Sequence, residues 1–535
     1  MQYDPLYYPG TSRRMLTYGR RGMVATSQTL AAQAGRDILT RGGNAVDAAI
    51  ATAATLTVVE PTSNGLGSDA FAIVWMDGKL HGLNASGPSP QAISPDAVRA
   101  QGHECMPVHG MTPVTVPGAP AAWSALSQRF GKLPFAELLA PAIDIAEQGF
   151  PVSPVVHQLW SEAFGEYRAY EDAVFAPWFD TFAPAGHAPA PGDMWRAPDH
   201  ARTLQAIADS NARDFYEGEL AERIDTFFRE HGGFLRKEDL AAFRPEWVEP
   251  IATRFRGCDV WEIPPNGCGM IALQALGMLE SLGQPGRGLV ETLHQRIEAT
   301  KLAYVDGLRY ITERDNMTAS VEQMLSPGYL EQRARLIGER ALNPEPGNPI
   351  TGGTVYLATA DNDGNMVSFI QSNFKGFGSG IVVPGTGISL QNRGCSFSLA
   401  PDHVNCLAPG KRTYHTIIPG FITRNNEAVG PFGVMGGFMQ PQGHVQVVSA
   451  MLDDALNPQA ALDLPRWKWT EGTTVEVEPD FPDHLAQALQ RRGHHIVKRV
   501  DGLSFGRGQI ICRDPVTGVL SAGTEPRTDG AAVPW

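Results

Sequence analysis

Three features of this 535-residue sequence predict an α+β fold built in layers. Helix-spaced apolar residues dominate the stretch from about 115 to 345. Short β-branched runs broken by Gly, Asn, Asp and Pro dominate after residue 350. The two textures are segregated, which fits an α+β or layered arrangement better than a doubly wound parallel sheet. No internal repeat or low-complexity tract is present.

Taken in order, Ser27 is expected to cap a first helix with Leu30, Ala34, Ile38 and Leu39 on one face, ending near Gly42-Gly43. Asn44 is expected to cap a second helix from Ala45 to about Leu56, apolar enough to be buried on most sides. The mainly helical 115–345 stretch has Pro- and Gly-rich breaks near 173–200 and 262–268. Beyond 350, the runs 354–360 and 366–372 read as a hairpin around Asp361-Asn-Asp-Gly-Asn365. Further strands and one helix near 482–492 complete the chain.

Composition narrows the function classes. At 57.7 kDa, with 43% apolar and 19% charged residues, the chain is an ordinary globular protein of one large or two intimate domains. A formal charge of −14 argues against a nucleic-acid or anionic-membrane surface. Six scattered cysteines, at 105, 258, 268, 395, 406 and 512, suggest neither a disulfide framework nor a zinc ribbon, and no metal or cofactor is expected. The opening residues lack the pattern of a secretory signal, and no run approaches the ~18 apolar residues of a membrane span. A soluble, cytoplasmic protein is expected.

The most informative stretch is Thr351-Gly352-Gly353-Thr354, which delivers a hydroxyl onto the first position of a strand. A threonine there can act as a nucleophile whose base is its own α-amine, once the chain is cut before it. Alone, such a motif is ordinary turn chemistry. A turn centred on Asp363 sets Thr354 opposite Ser372, and directly opposed residues hold their Cβ atoms roughly 4.5–5.5 Å apart. The plain reading of that pair is a cross-strand hydroxyl contact.

The chain resembles the γ-glutamyltransferase family of N-terminal-nucleophile hydrolases over nearly its whole length. The resemblance rests on Met23-Val-Ala-Thr-Ser-Gln, Gly42-Gly-Asn-Ala-Val-Asp-Ala-Ala, Val59-Glu-Pro61, Gly65-Leu-Gly67, Val116-Pro-Gly-Ala-Pro and Pro264-Pro-Asn-Gly. Asp361-Asn-Asp-Gly-Asn365, Phe377-Gly-Ser-Gly380, Pro409-Gly-Lys-Arg412, Gly436-Gly437 and Glu525-Pro-Arg-Thr-Asp-Gly530 follow in order.

The resemblance implies an αββα four-layer sandwich, made as a precursor and cut at Gly353–Thr354 into a large chain (1–353) and a small chain (354–535) forming one fold. It makes Thr354 the nucleophile, Ser372 the hydroxyl that hydrogen-bonds it, and the Gly436–Gly437 amides the oxyanion hole. The expected partners are a small amide substrate, water and the two chains of one precursor, with a dimer of heterodimers left open.

The pocket departs from the family pattern. The arginine that grips the α-carboxylate in glutamyl-specific members aligns with Ser86, and the aspartate for the α-amine aligns with Ser396. Two adjacent serines align with His415 and Thr416, and a binding asparagine aligns with Phe374. Losing both charged contacts removes the zwitterion clamp. Arg393 stands where the family has a neutral glutamine, and its guanidinium suits a carboxylate; the alternative is an internal pair with an acid. His415 is read as a hydrogen-bond donor to substrate or as a supporting histidine, and Tyr414 and Phe374 as walls of a tight pocket. Asn-Arg-Gly-Cys-Ser-Phe-Ser and Tyr-His-Thr-Ile-Ile-Pro-Gly resemble the branch with oxamate amidohydrolases and cephalosporin acylases. The expected activity is hydrolysis of a small carboxylate-bearing amide. The alternatives are a γ-glutamyltransferase or glutathione hydrolase, and a non-maturing binding paralogue.

Overall fold

The computed structural model describes residues 14–284, 288–344 and 353–535. Thr351 and Gly352 of the cleavage motif, and the opening residues read for a leader, lie outside them. Two seven-stranded antiparallel sheets form the centre. The first runs Ala531–Pro534, Met23–Thr26, Gly353–Ala360, Met366–Phe374, Asp69–Met76, Lys79–Ala85 and Glu246–Val248. The second runs Thr17–Gly19, Leu520–Thr524, Arg507–Arg513, Glu427–Met435, Gly420–Arg424, Cys258–Glu262 and Ile251–Phe255. Each sheet therefore takes strands from both sides of the Gly353–Thr354 bond.

The period-2 alternation of strands explains the layers. Along the central hairpin, Tyr356, Ala358, Ala360, Met366 and Ile370 face the second sheet, where they meet Phe421, Met435, Ile511 and Ala522. Their neighbours Val355, Leu357, Val367 and Phe369 face outward into a helical layer that includes Ala45–Val59 and Phe135–Gln148. The second sheet is covered in turn by Gly269–Ser281, Leu289–Tyr310 and Met439–Leu452. The result is helix, sheet, sheet, helix: the αββα sandwich that the family resemblance implied.

Local chemistry sets the ends of these elements. Asn44 caps Ala45–Val59 in a reciprocal box with Asp47, and every residue of that helix is buried. The first helix is Thr29–Thr40, and its cap is Gln28 rather than Ser27. The Ser27 hydroxyl donates to Glu60 instead, a partner 33 residues away. Within the 115–345 stretch read as mainly helical, Glu246–Val248, Ile251–Phe255 and Cys258–Glu262 are strands. Sheet edges in both layers recruit them, so tertiary pairing overrides the local texture. The helix expected near 482–492 is Asp483–Arg491. Among the described residues, no helix is long and apolar enough to cross a membrane.

Candidate active site

The hairpin that carries Thr354 is built by its turn. Asp361 accepts from the backbone of Asp363 at 2.9 Å and of Asn365 at 3.0 Å, an Asx-type turn, while Gly364 takes φ +85°. The same carboxylate accepts from Ala45 N at 3.0 Å, tying the turn to a helix N-terminus. Val355 pairs with Gln371 and Ala360 with Met366, which is the register expected for a turn centred on Asp363. A bulge then shifts the pairing, so Gly353 faces Phe374. The two hydroxyls still meet: Thr354 Oγ1 and Ser372 Oγ lie 3.0 Å apart, and both residues are fully buried.

Ser372 is held from two more sides. The Phe374 N–H donates to its oxygen at 2.8 Å, and Arg393 Nη2 donates at 3.4 Å. Two donors aimed at one hydroxyl oxygen favour Ser372 as the donor towards Thr354. Phe374 adopts φ +77°, a left-handed conformation that costs a bulky residue energy. That conformation accompanies two contacts: its N–H meets Ser372, and its ring lies 4.1 Å beneath the Arg393 guanidinium carbon. Arg393 Nη1 also donates to Thr416 Oγ1 at 2.8 Å.

The acid beneath Arg393 is Asp69, a residue that sequence reasoning did not single out. It pairs directly with Ser372 on the neighbouring strand, so Ser372 lies between Asp69 and Thr354 on adjacent strands. Arg393 Nε lies 3.6 Å from its carboxylate, and His415 Nε2 lies 2.9 Å away. Because the Ile417 N–H approaches His415 Nδ1 at 3.4 Å, the ring proton sits on Nε2 and is donated to Asp69. His415 thus has a protein partner at each ring nitrogen. Arg393 has the internal acid that was its alternative, yet one N–H on each terminal nitrogen is unspent by these contacts. Burial pushes Asp69 up to about 7 against the opposing pull of Arg393. Burial likewise lowers Arg393 to about 10 and pushes His415 well below its ordinary range.

The glycine pair follows strand Glu427–Met435 and precedes helix Met439–Leu452. Gly436 and Gly437 take φ +137° and +60°, conformations that suit glycine. Their carbonyls accept from Met439 N and Gln440 N at 3.1 Å, closing the first helical turn. Phe438 is braced by Tyr414, whose ring stacks on it at 5.9 Å, and by the Tyr304 hydroxyl on its carbonyl. Tyr414 therefore supports this loop through Phe438. The tip of the helix reaches the hydroxyl pair through Gln440, whose Nε2 lies 3.5 Å from Thr354 Oγ1.

The positions that lack the family's charges are neutral and engaged. The Ser86 hydroxyl donates to Asn84 Oδ1 at 2.7 Å and accepts from Asn266 Nδ2 at 3.1 Å. Ser396 ends a short 3-10 turn, Arg393–Ser396, half-buried, with its carbonyl accepting from Asn405. Among the described residues, one group has metal-ligand spacing: His294, Glu298 and His494. Lys301 Nζ lies 2.7 Å from Glu298 there, supplying the cation itself. Asp69 and Gln440 escaped sequence reading because neither stands in a local pattern with Thr354. Strand pairing brings in one and a helix tip brings in the other.

The gamma-glutamyltranspeptidase family model matches residues 31–535. A glutathione hydrolase-like YwrD proenzyme of Bacillus subtilis is 37% identical over 96% of this chain and 98% of its own length. The oxamate amidohydrolase proenzyme of Klebsiella pneumoniae is 34% identical, with the same coverage of both chains. The crystal structure of a cephalosporin acylase from Bacillus halodurans superposes with a TM-score of 0.96 at 60% identity, covering 100% of this chain and 99% of the other. With its αββα layers and its matched sequence, this chain belongs to the gamma-glutamyltranspeptidase family and is an N-terminal-nucleophile amidohydrolase of that family.

Proposed function

We propose that this chain cleaves itself at Gly353–Thr354 and then hydrolyses the amide of a small carboxylate-bearing substrate, oxamate-like, through an acyl-threonine. The observation that carries the reading is the 3.0 Å contact between Thr354 and Ser372, with Arg393 bonded to Ser372. In maturation, Thr354 Oγ attacks the Gly353 carbonyl, the chain shifts from nitrogen to oxygen, and water hydrolyses the ester. The freed α-amine, with a pKa of about 8, takes the hydroxyl proton when the next carbonyl is attacked. The Gly436 and Gly437 amides would receive the oxyanion, each donor being worth roughly 2.7–4 kcal/mol. Ammonia leaves with the proton, and water releases the acid.

Substrate size and charge follow from the pocket. Thr354, Ser372, Phe374, Arg393, His415 and Thr416 are all buried, which favours a small substrate. Arg393 is the cation at the reaction centre and offers unspent N–H groups to a carboxylate. Neutral Ser86 and Ser396 offer no clamp for a glutamyl zwitterion. The oxamate amidohydrolase of Klebsiella pneumoniae supports this reading at 34% identity. A second reading, removal of a larger acyl group, has the 60% identity to the Bacillus halodurans acylase in its favour. Two measurements test these statements. Wild-type protein should separate into chains beginning at Met1 and Thr354, with Thr354→Ala remaining whole; cleavage of that variant at the same bond would refute the nucleophile. Ammonia release from oxamate should exceed turnover of γ-glutamyl-p-nitroanilide and of an acyl-cephalosporin. Preference for the cephalosporin would transfer the assignment to the second reading.

A further inference from the structure

We propose that Gln440 is a catalytic residue of this site, donating a hydrogen bond to the threonine oxygen as that oxygen leaves during deacylation. The inference rests on the reading of Thr354 as nucleophile. Gln440 is fully buried, in the first turn of helix Met439–Leu452. Its amide can face only one way: Oε1 accepts from the Ile418 N–H at 3.0 Å, which commits Nε2, a pure donor, to Thr354 Oγ1 at 3.5 Å. The Ile418 link also ties this side chain to the segment that supplies His415 and Thr416. Gln440 thus has a fixed anchor on one side and the reacting oxygen on the other. Hydrogen bonds at reacting atoms are often long before charge develops and shorten as it does.

The step that gains from this donor is the second half of turnover. Water adds to the ester carbonyl and gives its proton to the Thr354 α-amine. The tetrahedral intermediate then collapses, the C–Oγ bond breaks, and its electron pair goes to Oγ. The α-ammonium returns the proton to Oγ, and the free acid departs. Negative charge grows on Oγ before the proton arrives, and Gln440 Nε2 is placed against that charge with the helix N-terminus behind it.

The test uses matured Gln440→Glu and Gln440→Met. As a carboxylate, the first keeps an acceptor for Ile418 but cannot donate; the second keeps the bulk and neither contact. Both should let the acyl group accumulate on the small chain during turnover, visible by intact mass. They should lower kcat by about ten- to a hundredfold, with KM falling alongside it. Where a variant stays uncut, the stalled ester at Gly353–Thr354 should be split by hydroxylamine. Matured variants that deacylate like wild type would overturn the proposal, as would an uncut chain that resists hydroxylamine. Thr354→Ala separates the two claims: if it stays whole while Gln440→Met is unimpaired, the nucleophile stands and Gln440 falls.

Discussion

Asp69 lies buried beside Arg393 and His415, and its protonation is open to measurement. Burial lifts its carboxyl from the ordinary 3.8 to about 7. Between those values the folded chain holds a proton that the unfolded chain has released. The stability this contributes is complete below about pH 4 and is lost as pH rises towards 7. Asp69→Asn has no such titration. Between pH 5 and pH 8, the melting temperature of wild type should therefore fall relative to the variant; a constant difference would mean that Asp69 does not titrate in that range. Thr354 and Ser372 were legible beforehand because a five-residue turn sets their register. Asp69 was not, since it comes from a strand about 300 residues earlier and gives no local sign of its partners.

At the scale of elements, close backbone approaches explain motif glycines that sequence alone leaves without a reason. Gly118, in the Val116-Pro-Gly-Ala-Pro motif, caps helix Ala119–Phe130, and a Cβ there would lie 1.8 Å from the Ala85 carbonyl oxygen. That oxygen is backbone at the end of strand Lys79–Ala85, next to Ser86, and cannot swing aside. Gly118→Ala should destabilise the protein by roughly 1–3 kcal/mol through overpacking. Denaturant midpoints would check this, and an unchanged midpoint would show that the helix can step away from the strand. Helix ends were readable where a cap acts locally, as at Asn44. They were misread where a long-range partner competes, as when Glu60 draws Ser27 away from the first helix.

Over the whole molecule, the bond proposed for cleavage lies at the very start of a strand in the middle of a sheet. Gly353–Ala360 is flanked by Met23–Thr26 and Met366–Phe374, and Met23–Thr26 is flanked in turn by Ala531–Pro534. Cutting before Thr354 detaches only Gly353 from the strand and leaves the pairings from Val355 to Ala360 intact. The two chains should co-elute from gel filtration and part only in a single global unfolding transition. Separate elution under native conditions would contradict this interleaving.

By itself the sequence determined the layered α+β class, the hairpin register that joins Thr354 to Ser372, and the helix capped by Asn44. These depend on periods of two and 3.6 residues and on turn chemistry, all of which act within a few positions. The tertiary structure decided what meets at the candidate site: Asp69 under Arg393 and His415, Gln440 at the threonine oxygen, and Tyr414 against Phe438. It also drew the 246–262 strands out of a helical stretch to extend both sheets. Those outcomes depend on burial and pairing between residues distant in the chain, energies that no local pattern carries.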